Sequence, residues 1–188
     1  MKNNSLSQNE IPLKNETGLA GLVIDMQPHF LNEIEENERK IMIQSQIELI
    51  HYLSVREAPI FVLEYEDKGR TIKKITREIN FSKNEKPIIK TENSGFINTR
   101  LQRLLKKYSS KNLIFMGINA SSCVAQTAED AKVRGYKIFT ARNLIAEKEE
   151  YNDREMEQMI KKIYTNLGTF FRTEKGLVRF LEKSLSSK

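Results

Sequence analysis

Short apolar runs alternate with stretches of helical periodicity along most of this chain. The apolar runs lie at residues 19–26, 59–63, 88–89, 112–116, 136–141 and 169–172. Between and after them, helical patterns occupy residues 38–55, 70–80, 101–108, 122–134, 153–166 and 177–185. The first apolar run is nearly continuous, which is typical of a strand buried on both faces. Strands that alternate with helices predict an α/β fold with a parallel sheet covered on both faces.

The composition favours one globular domain. The chain has 188 residues, of which 39% are hydrophobic and 30% are charged, enough for a sizeable core. A single cysteine forms no internal disulfide, which predicts a cytoplasmic location. We expect residues 1–17 to form a polar N-terminal leader and residues 18–188 to form a single domain. No apolar stretch has the length of a membrane span, so no membrane partner is expected.

The net charge of +6 arises from 31 basic and 25 acidic residues. Basic residues concentrate at residues 83–90 and 100–111, an arrangement compatible with a phosphate-binding face. These positions fall mostly on the polar sides of helices or in loops, where lysine is solvated. No nucleic-acid motif accompanies them, so we expect no nucleic-acid partner.

Three side chains with useful chemistry stand at the ends of predicted strands. Asp25 ends the first strand, Lys90 ends the third, and Cys123 follows the fourth across a short turn. Because ligands bind beyond the carboxyl ends of parallel strands, we expect the three to converge in one crevice. Asp25 would then act as a base, Lys90 would favour the thiolate, and backbone N–H groups of the turn would bind an oxyanion. Each residue also has a simpler alternative. Asp25 could cap a turn, Lys90 could be a surface lysine, and Cys123 could be a small buried hydrophobic residue.

Three short motifs occur in order around these residues. Residues 25–30 contain D-x-Q-x-x-F, residues 90–99 contain a lysine followed by S-G-F and then T, and residues 117–124 contain G-x-x-x-x-x-C-V. On these motifs, residues 19–183 resemble the isochorismatase-like cysteine hydrolases. That superfamily includes nicotinamidases, N-carbamoylsarcosine amidase and isochorismatase.

The resemblance implies a three-layer Rossmann-like fold, with a mostly parallel six-stranded sheet and helices on both faces. It implies a catalytic triad of Asp25, Lys90 and Cys123. It also implies a cis peptide bond between Ile118 and Asn119, which would aim the N–H groups of Asn119 and Cys123 into the site as an oxyanion hole. Members of the superfamily are commonly dimers or larger, so we expect a homo-oligomer.

Four residues near the motifs are expected to line the pocket for a small-molecule substrate: Gln27, Phe30, Tyr65 and Phe96. Ordinary core packing is the alternative for each aromatic residue. The turn before the cysteine departs from the pattern that is common in the superfamily. We still expect Ser121 or Ser122 to cap the helix that follows.

The chain lacks the metal motif of the nicotinamidase branch, in which an aspartate and two histidines bind the ion. Its two histidines are His29 and His51, and neither belongs to a D-x-H sequence. We therefore expect no metal and no cofactor.

Together, these features predict a metal-free cysteine hydrolase that cleaves a C–N bond in a small amide or ureide through a thioester-type intermediate. One alternative is a vinyl-ether hydrolase of the isochorismatase type, with Asp25 as the acid. The other is a binding protein that keeps the fold without catalysis. The Cys123→Ala variant separates the first alternative, which would retain activity, from a thiol amidase, which would lose it.

Overall fold

The computed structural model describes residues 15–79, 81, 85–148 and 153–186. Its strands are β1 (Leu19–Ile24), β2 (Ile60–Tyr65), β3 (Ile88–Lys90), β4 (Asn112–Ile118), β5 (Lys137–Ala141), β6 (Ile145–Ala146) and β7 (Thr169–Phe171). Its α-helices are α1 (Pro28–Leu31), α2 (Glu36–Val55), α3 (Lys73–Thr76), α4 (Leu101–Lys107), α5 (Ala125–Val133), α6 (Asp153–Leu167) and α7 (Glu174–Ser186). One π-helical turn, Ala120–Val124, precedes α5 and is called here the cysteine turn.

The sheet is parallel, as the alternating pattern predicts. Its main path has the order β3-β2-β1-β4-β5-β7, and the neighbouring strands along this path run parallel. A seventh strand, β6, pairs with β4 beside this path. The six predicted strands are therefore confirmed, whereas β6 was not predicted. A strand of two residues is too short to produce a periodic pattern.

Helices cover both faces of the sheet. The connection from β1 to β2 runs toward the β3 edge of the sheet, whereas the connection from β4 to β5 runs toward the β7 edge. Because crossovers between parallel strands are right-handed, α2 and α5 must lie on opposite faces. All six residues of β1 are buried accordingly, which explains its nearly continuous apolar sequence.

The end of β1 brings a polar residue to the carboxyl edge of the sheet. The predicted apolar run extends to residue 26, but the strand ends at Ile24 because Asp25 adopts φ 54°. This left-handed conformation is tolerated better by aspartate than by most residues. β2 and β3 end side by side, with Tyr65 opposite Lys90 in the register. Asp25, Tyr65 and Lys90 therefore share one edge.

The chain enters the sheet through a hydrogen-bonded turn. The Asn15 side chain accepts from the Gly18 N–H at 3.1 Å and donates to the Leu19 carbonyl at 2.9 Å. Of the predicted leader, residues 1–14 lie outside the described residues. None of the helices in the described ranges is both long and apolar enough to cross a membrane.

Candidate active site

Asp25 is fixed by backbone hydrogen bonds on both sides. Its N–H donates to the Leu63 carbonyl at 3.0 Å, and its carbonyl accepts from the Gln27 N–H at 2.7 Å. Only 1% of the residue is exposed. The carboxylate is therefore held at the strand end in a place that water does not reach freely.

Lys90 forms a buried ion pair with this carboxylate. Its Nζ lies 2.8 Å from Asp25 Oδ2. The same ammonium group donates to the Glu92 carbonyl at 3.2 Å and lies 4.3 Å from the centre of the Tyr65 ring. The lysine is not the surface residue that its type would suggest, because a carboxylate, a carbonyl and an aromatic face replace its hydration shell.

The Cys123 thiol completes the cluster. Its side chain is within hydrogen-bonding reach of both Asp25 and Lys90, and its Sγ lies 3.6 Å from Asn93 Oδ1. The residue is buried, with 4% exposed. The structure therefore brings Asp25, Lys90 and Cys123 together, as the positions of the three strand ends predict.

The thiol and the carboxyl group both hold their protons more firmly than usual. Burial, reinforced by the negative charge of Asp25, raises the pKa of Cys123 to about 11, although Lys90 opposes this shift. Burial also raises the pKa of Asp25 above its ordinary value, against the pull of Lys90. Lys90 therefore favours the thiolate, as expected, but desolvation outweighs its effect and the thiol keeps its proton in the resting state.

The cysteine turn is held by its own backbone and by α5. The Ile118–Asn119 peptide bond is cis, at the position that the family resemblance implies. The Val124 N–H donates to the Asn119 carbonyl at 3.1 Å. Thr127 Oγ1 donates to the Cys123 carbonyl at 2.6 Å and accepts from the N–H of residue 95 at 3.0 Å. Thr127 therefore ties the cysteine to the loop that follows Lys90.

Two contacts to the cysteine turn were missed from the sequence. The Ser121 N–H donates to Glu147 Oε2 at 2.6 Å, so a distant carboxylate caps the turn. The expected cap by the Ser121 or Ser122 side chain is not formed. The Tyr164 hydroxyl donates to the Ala120 carbonyl at 2.6 Å. No local sequence signal marks Glu147 or Tyr164, because each meets the turn only in the folded chain.

Gln27 does not line a pocket, contrary to the prediction. Its Nε2 donates to the carbonyls of Tyr65 at 2.9 Å and Gly69 at 2.7 Å, and its Oε1 accepts from the Tyr65 N–H at 2.8 Å. The residue is completely buried. Its amide is committed to the backbone, so Gln27 fixes the loop after β2 instead of meeting a substrate.

Phe30 and Tyr65 form an aromatic wall beside the cluster. Their ring centres lie 6.2 Å apart in an edge-to-face arrangement, and the Tyr65 ring also covers the Lys90 ammonium group. A cleft of about 360 Å³ opens next to this wall. It is lined by Tyr65, Glu66, Asp67, Gly69, Arg70 and Ile89. Tyr65 thus lines an open cleft, and the pocket role of Phe30, which packs against its ring, stays a prediction.

Phe96 belongs to the core, so its predicted place in the pocket is corrected. Its ring packs against Tyr136 at 6.2 Å and lies under the Arg134 guanidinium at 4.7 Å. The preceding residue, Gly95, also packs closely on the core, because a Cβ there would lie 2.0 Å from a Leu63 methyl group. The alternative of ordinary core packing describes Phe96 correctly.

The two histidines do not converge on a metal site. His29 packs edge-to-face on Phe30, and His51 on α2 lies 2.5 Å from a Glu78 carboxylate oxygen. Within the part of the chain that the structure describes, no group of three or more His, Cys, Asp and Glu side chains is arranged to hold a metal ion. These residues do not fit the Asp-and-two-His site of the nicotinamidase branch.

The fold and the cluster define a class of protein: a parallel α/β domain with a buried Asp–Lys–Cys site at the carboxyl edge of its sheet. Residues 20–172 match the isochorismatase domain family. The chain therefore belongs to the isochorismatase family of hydrolases.

Similar proteins differ in their named activities. The chain is 26% identical over 141 residues to Nicotinamidase 3 of Arabidopsis thaliana, covering 64% of this chain and 69% of that protein. It is 26% identical over 92 residues to a secreted isochorismatase effector of Verticillium dahliae, covering 49% of this chain and 46% of that protein. The match thus spans under half of the effector's length.

The fold likeness extends to solved structures. The MAR1 ribonuclease of Caenorhabditis elegans superposes with a TM-score of 0.73 at 24% identity, over 88% of this chain and 81% of that one. This likeness supports the fold. The named activities of the relatives are too diverse to specify a substrate for this chain.

Proposed function

We propose that this protein is a metal-free cysteine hydrolase that cleaves the C–N bond of a small amide or ureide. The observation that carries the proposal is the buried cluster itself. The Asp25 carboxyl group, held 2.8 Å from Lys90, lies within reach of the only thiol in the chain. A nucleophile with an adjacent base and a charged partner for that base is the arrangement that acyl transfer requires.

In the first step, Cys123 Sγ bonds to the carbonyl carbon of the substrate while its proton passes to Asp25. The electron pair of the C=O π bond moves to oxygen, where the N–H groups of Asn119 and Cys123 stabilise it. The raised pKa of Asp25 makes it a stronger base than an ordinary carboxylate. A protonated resting thiol then gives up its proton only as the S–C bond forms.

The second half restores the enzyme. The tetrahedral intermediate collapses, the C–N bond breaks, and the amine leaves with the proton from Asp25. Water attacks the resulting thioester, its proton passes to Asp25, and the acid product departs as the thiol regains that proton. Lys90 keeps Asp25 oriented and compensates its charge in both halves.

The choice of a C–N bond rests on two supports. The plant relative is named a nicotinamidase, an activity that cleaves an amide. The aromatic wall of Phe30 and Tyr65, whose Tyr65 ring covers the Lys90 ammonium group, suits a small planar group such as an amide or ureide. Nicotinamide itself is not proposed, because the histidines do not form the metal site of that branch.

The test is a screen of small amides and ureides, with ammonia or amine release measured for the wild type, Cys123→Ala and Asp25→Asn. We expect turnover in the wild type and a loss of at least about a hundredfold in each variant. Intact-mass analysis should show an acyl group on Cys123. The matched control is Ser54→Ala, an exposed position on α2, which should retain full activity. Equal activity in Cys123→Ala and the wild type would contradict the proposal.

One observation favours a second candidate, vinyl-ether hydrolysis. Burial raises the pKa of Asp25, which is what a general acid needs to hold a proton for an enol ether. This reaction needs Asp25 but no sulfur nucleophile. Retained activity on a vinyl ether in Cys123→Ala, with loss in Asp25→Asn, would support it. No turnover in either screen would favour a binding protein with an inactive cluster.

Assembly, partners and location remain predictions. We propose a homo-oligomer, a small-molecule substrate and no nucleic-acid or membrane partner. We propose a cytoplasmic location, which is supported by the single free cysteine. Light scattering of the purified protein measures the assembly directly. A monomeric mass at micromolar concentration would contradict the homo-oligomer.

A further inference from the structure

Two side chains hold one peptide unit of the cysteine turn by hydrogen bonds, one at its carbonyl and the other at its N–H. The carbonyl of Ala120 accepts a hydrogen bond from the Tyr164 hydroxyl at 2.6 Å. The N–H of Ser121, which belongs to the same peptide unit, donates to Glu147 Oε2 at 2.6 Å. Since C=O and N–H point in opposite directions in a trans peptide, the two side chains must hold it from opposite sides.

The two side chains that hold this peptide come from separate and well-packed parts of the fold. Tyr164 is 1% exposed, and its ring stacks on Phe170 with centres 5.9 Å apart. Glu147 is 3% exposed and directly follows β6, the strand that pairs with the end of β4. β6 therefore does more than extend the sheet, because its pairing with β4 places Glu147 next to the turn that follows β4.

Holding this one peptide constrains its neighbours. A peptide unit can rotate as a plane while the chain on either side moves little, so it is the easiest part of a turn to reorient. Here that rotation breaks two buried hydrogen bonds, one of them to a carboxylate. The hydrogen bond to Glu147 also occupies the Ser121 N–H, which is therefore not available to an oxyanion.

We propose that Glu147 and Tyr164 are positioning residues that lock the Ala120–Ser121 peptide and thereby aim the oxyanion hole. The inference rests on the proposed function, since it assumes that Cys123 attacks a carbonyl. Neither residue touches the reacting atoms. Their effect is on the transition state in which negative charge develops on oxygen.

The test compares two reagents that react with the Cys123 thiol, of which only one generates an oxyanion. Propanal forms a thiohemiacetal: Sγ bonds to the carbonyl carbon, the π pair moves to oxygen, and the thiol proton passes to Asp25. Iodoacetamide alkylates the same sulfur at a saturated carbon with loss of iodide and creates no oxyanion. The Kd of propanal, measured as protection of Cys123 against iodoacetamide, reports the oxyanion hole. The alkylation rate without propanal reports the thiol alone.

We expect Tyr164→Phe and Glu147→Ala to weaken propanal protection by about tenfold to a hundredfold. Their alkylation rates without aldehyde should stay within threefold of the wild type. Glu147→Gln should restore most of the protection, because its side-chain carbonyl still accepts from the Ser121 N–H. The double variant Tyr164→Phe/Glu147→Ala should lose less than the product of the two single effects, since both side chains hold one peptide.

The matched control is Tyr136→Phe. It removes a tyrosine hydroxyl that bonds to Gln102 at 3.1 Å, away from the cysteine turn, and should leave both readouts unchanged. Protection that is unaltered in Tyr164→Phe and Glu147→Ala would overturn the lock while leaving the proposed function intact. Absence of protection in the wild type would overturn the proposed oxyanion hole and the lock with it.

Discussion

Lys90 Nζ lies 2.8 Å from Asp25 Oδ2, and these two side chains are 0% and 1% exposed. Removing two charges from water costs several kcal/mol each by a rough estimate, which their attraction only partly offsets. An apolar pair would fill the same space without that cost. The ion pair is therefore better explained by chemistry than by stability.

Replacing Lys90 should reveal the free-energy cost of burying the Asp25 charge. Lys90→Met leaves the Asp25 carboxylate buried without its counter-ion, so we expect the free energy of unfolding at pH 7 to fall by about 3 kcal/mol. The pKa of Asp25 should rise further, since Lys90 lowers it in the wild type. The folded state then binds a proton more tightly than the unfolded state, so stability should return as the pH falls. Urea unfolding at pH 7 and pH 5 measures both effects.

The double variant Asp25→Asn/Lys90→Met is the control for this prediction. It removes both charges and should lie within about 1.5 kcal/mol of the wild type at pH 7, with little dependence on pH. A double variant as unstable as Lys90→Met would show that the lost packing, and not the unpaired charge, is responsible.

The raised pKa of the Cys123 thiol predicts a loss of stability at alkaline pH. The pKa of Cys123 is about 11 in the folded protein, whereas a free thiol has a pKa of about 8.5. Between these values the unfolded chain releases a proton that the folded chain keeps, so stability falls as the pH rises. We expect the wild type to lose about 2 kcal/mol more than Cys123→Ala between pH 8 and pH 10.5. Equal losses in urea titrations would contradict the raised pKa.

Two glycines with positive φ should respond very differently to alanine. Gly117 has φ +140°, and a Cβ there would lie 2.0 Å from the Ile24 carbonyl oxygen. We expect Gly117→Ala to cost more than about 4 kcal/mol or to prevent folding. Gly135 has φ +84° with open space around it, so Gly135→Ala should cost only about 1 kcal/mol. Thermal unfolding of the two variants tests the difference, and similar melting temperatures would contradict it.

Gln27 should be required for the loop that carries Tyr65. Gln27→Leu leaves the N–H and carbonyl of Tyr65 and the carbonyl of Gly69 without their partner, so we expect a loss of roughly 2–4 kcal/mol. Gln44→Leu, on the exposed side of α2, is the matched control and should change stability by less than about 0.5 kcal/mol. Urea unfolding compares them. A Gln27 variant as stable as its control would show that the loop does not depend on this amide.

The sequence predicted the sheet because its physical cause is local. Buried parallel strands must be apolar on both faces, and residues 19–24 satisfy that condition without help from other parts of the chain. The convergence of Asp25, Lys90 and Cys123 was predictable for a related reason. Parallel strands end at one edge, so chain position alone brings their last residues together.

The errors arose where side-chain direction decides the outcome. Gln27 and Phe96 lie in the motifs, but one turns to the backbone of the next loop and the other turns into the core. Glu147 and Tyr164 were missed because they act on residues 26 and 44 positions away in the chain. Their contacts depend on how α6 and β6 pack, and no periodic pattern encodes that.

The measurement that tests the account most directly is the pH dependence of Cys123 alkylation by iodoacetamide in the wild type, Asp25→Asn and Lys90→Met. Because the chain has one cysteine, every label reports on this site. Asp25 raises the thiol pKa and Lys90 lowers it. We therefore predict a lower midpoint in Asp25→Asn and a higher midpoint in Lys90→Met, relative to the wild type. Midpoints that stay unchanged, or that move in the same direction in both variants, would contradict a coupled Asp25–Lys90–Cys123 site.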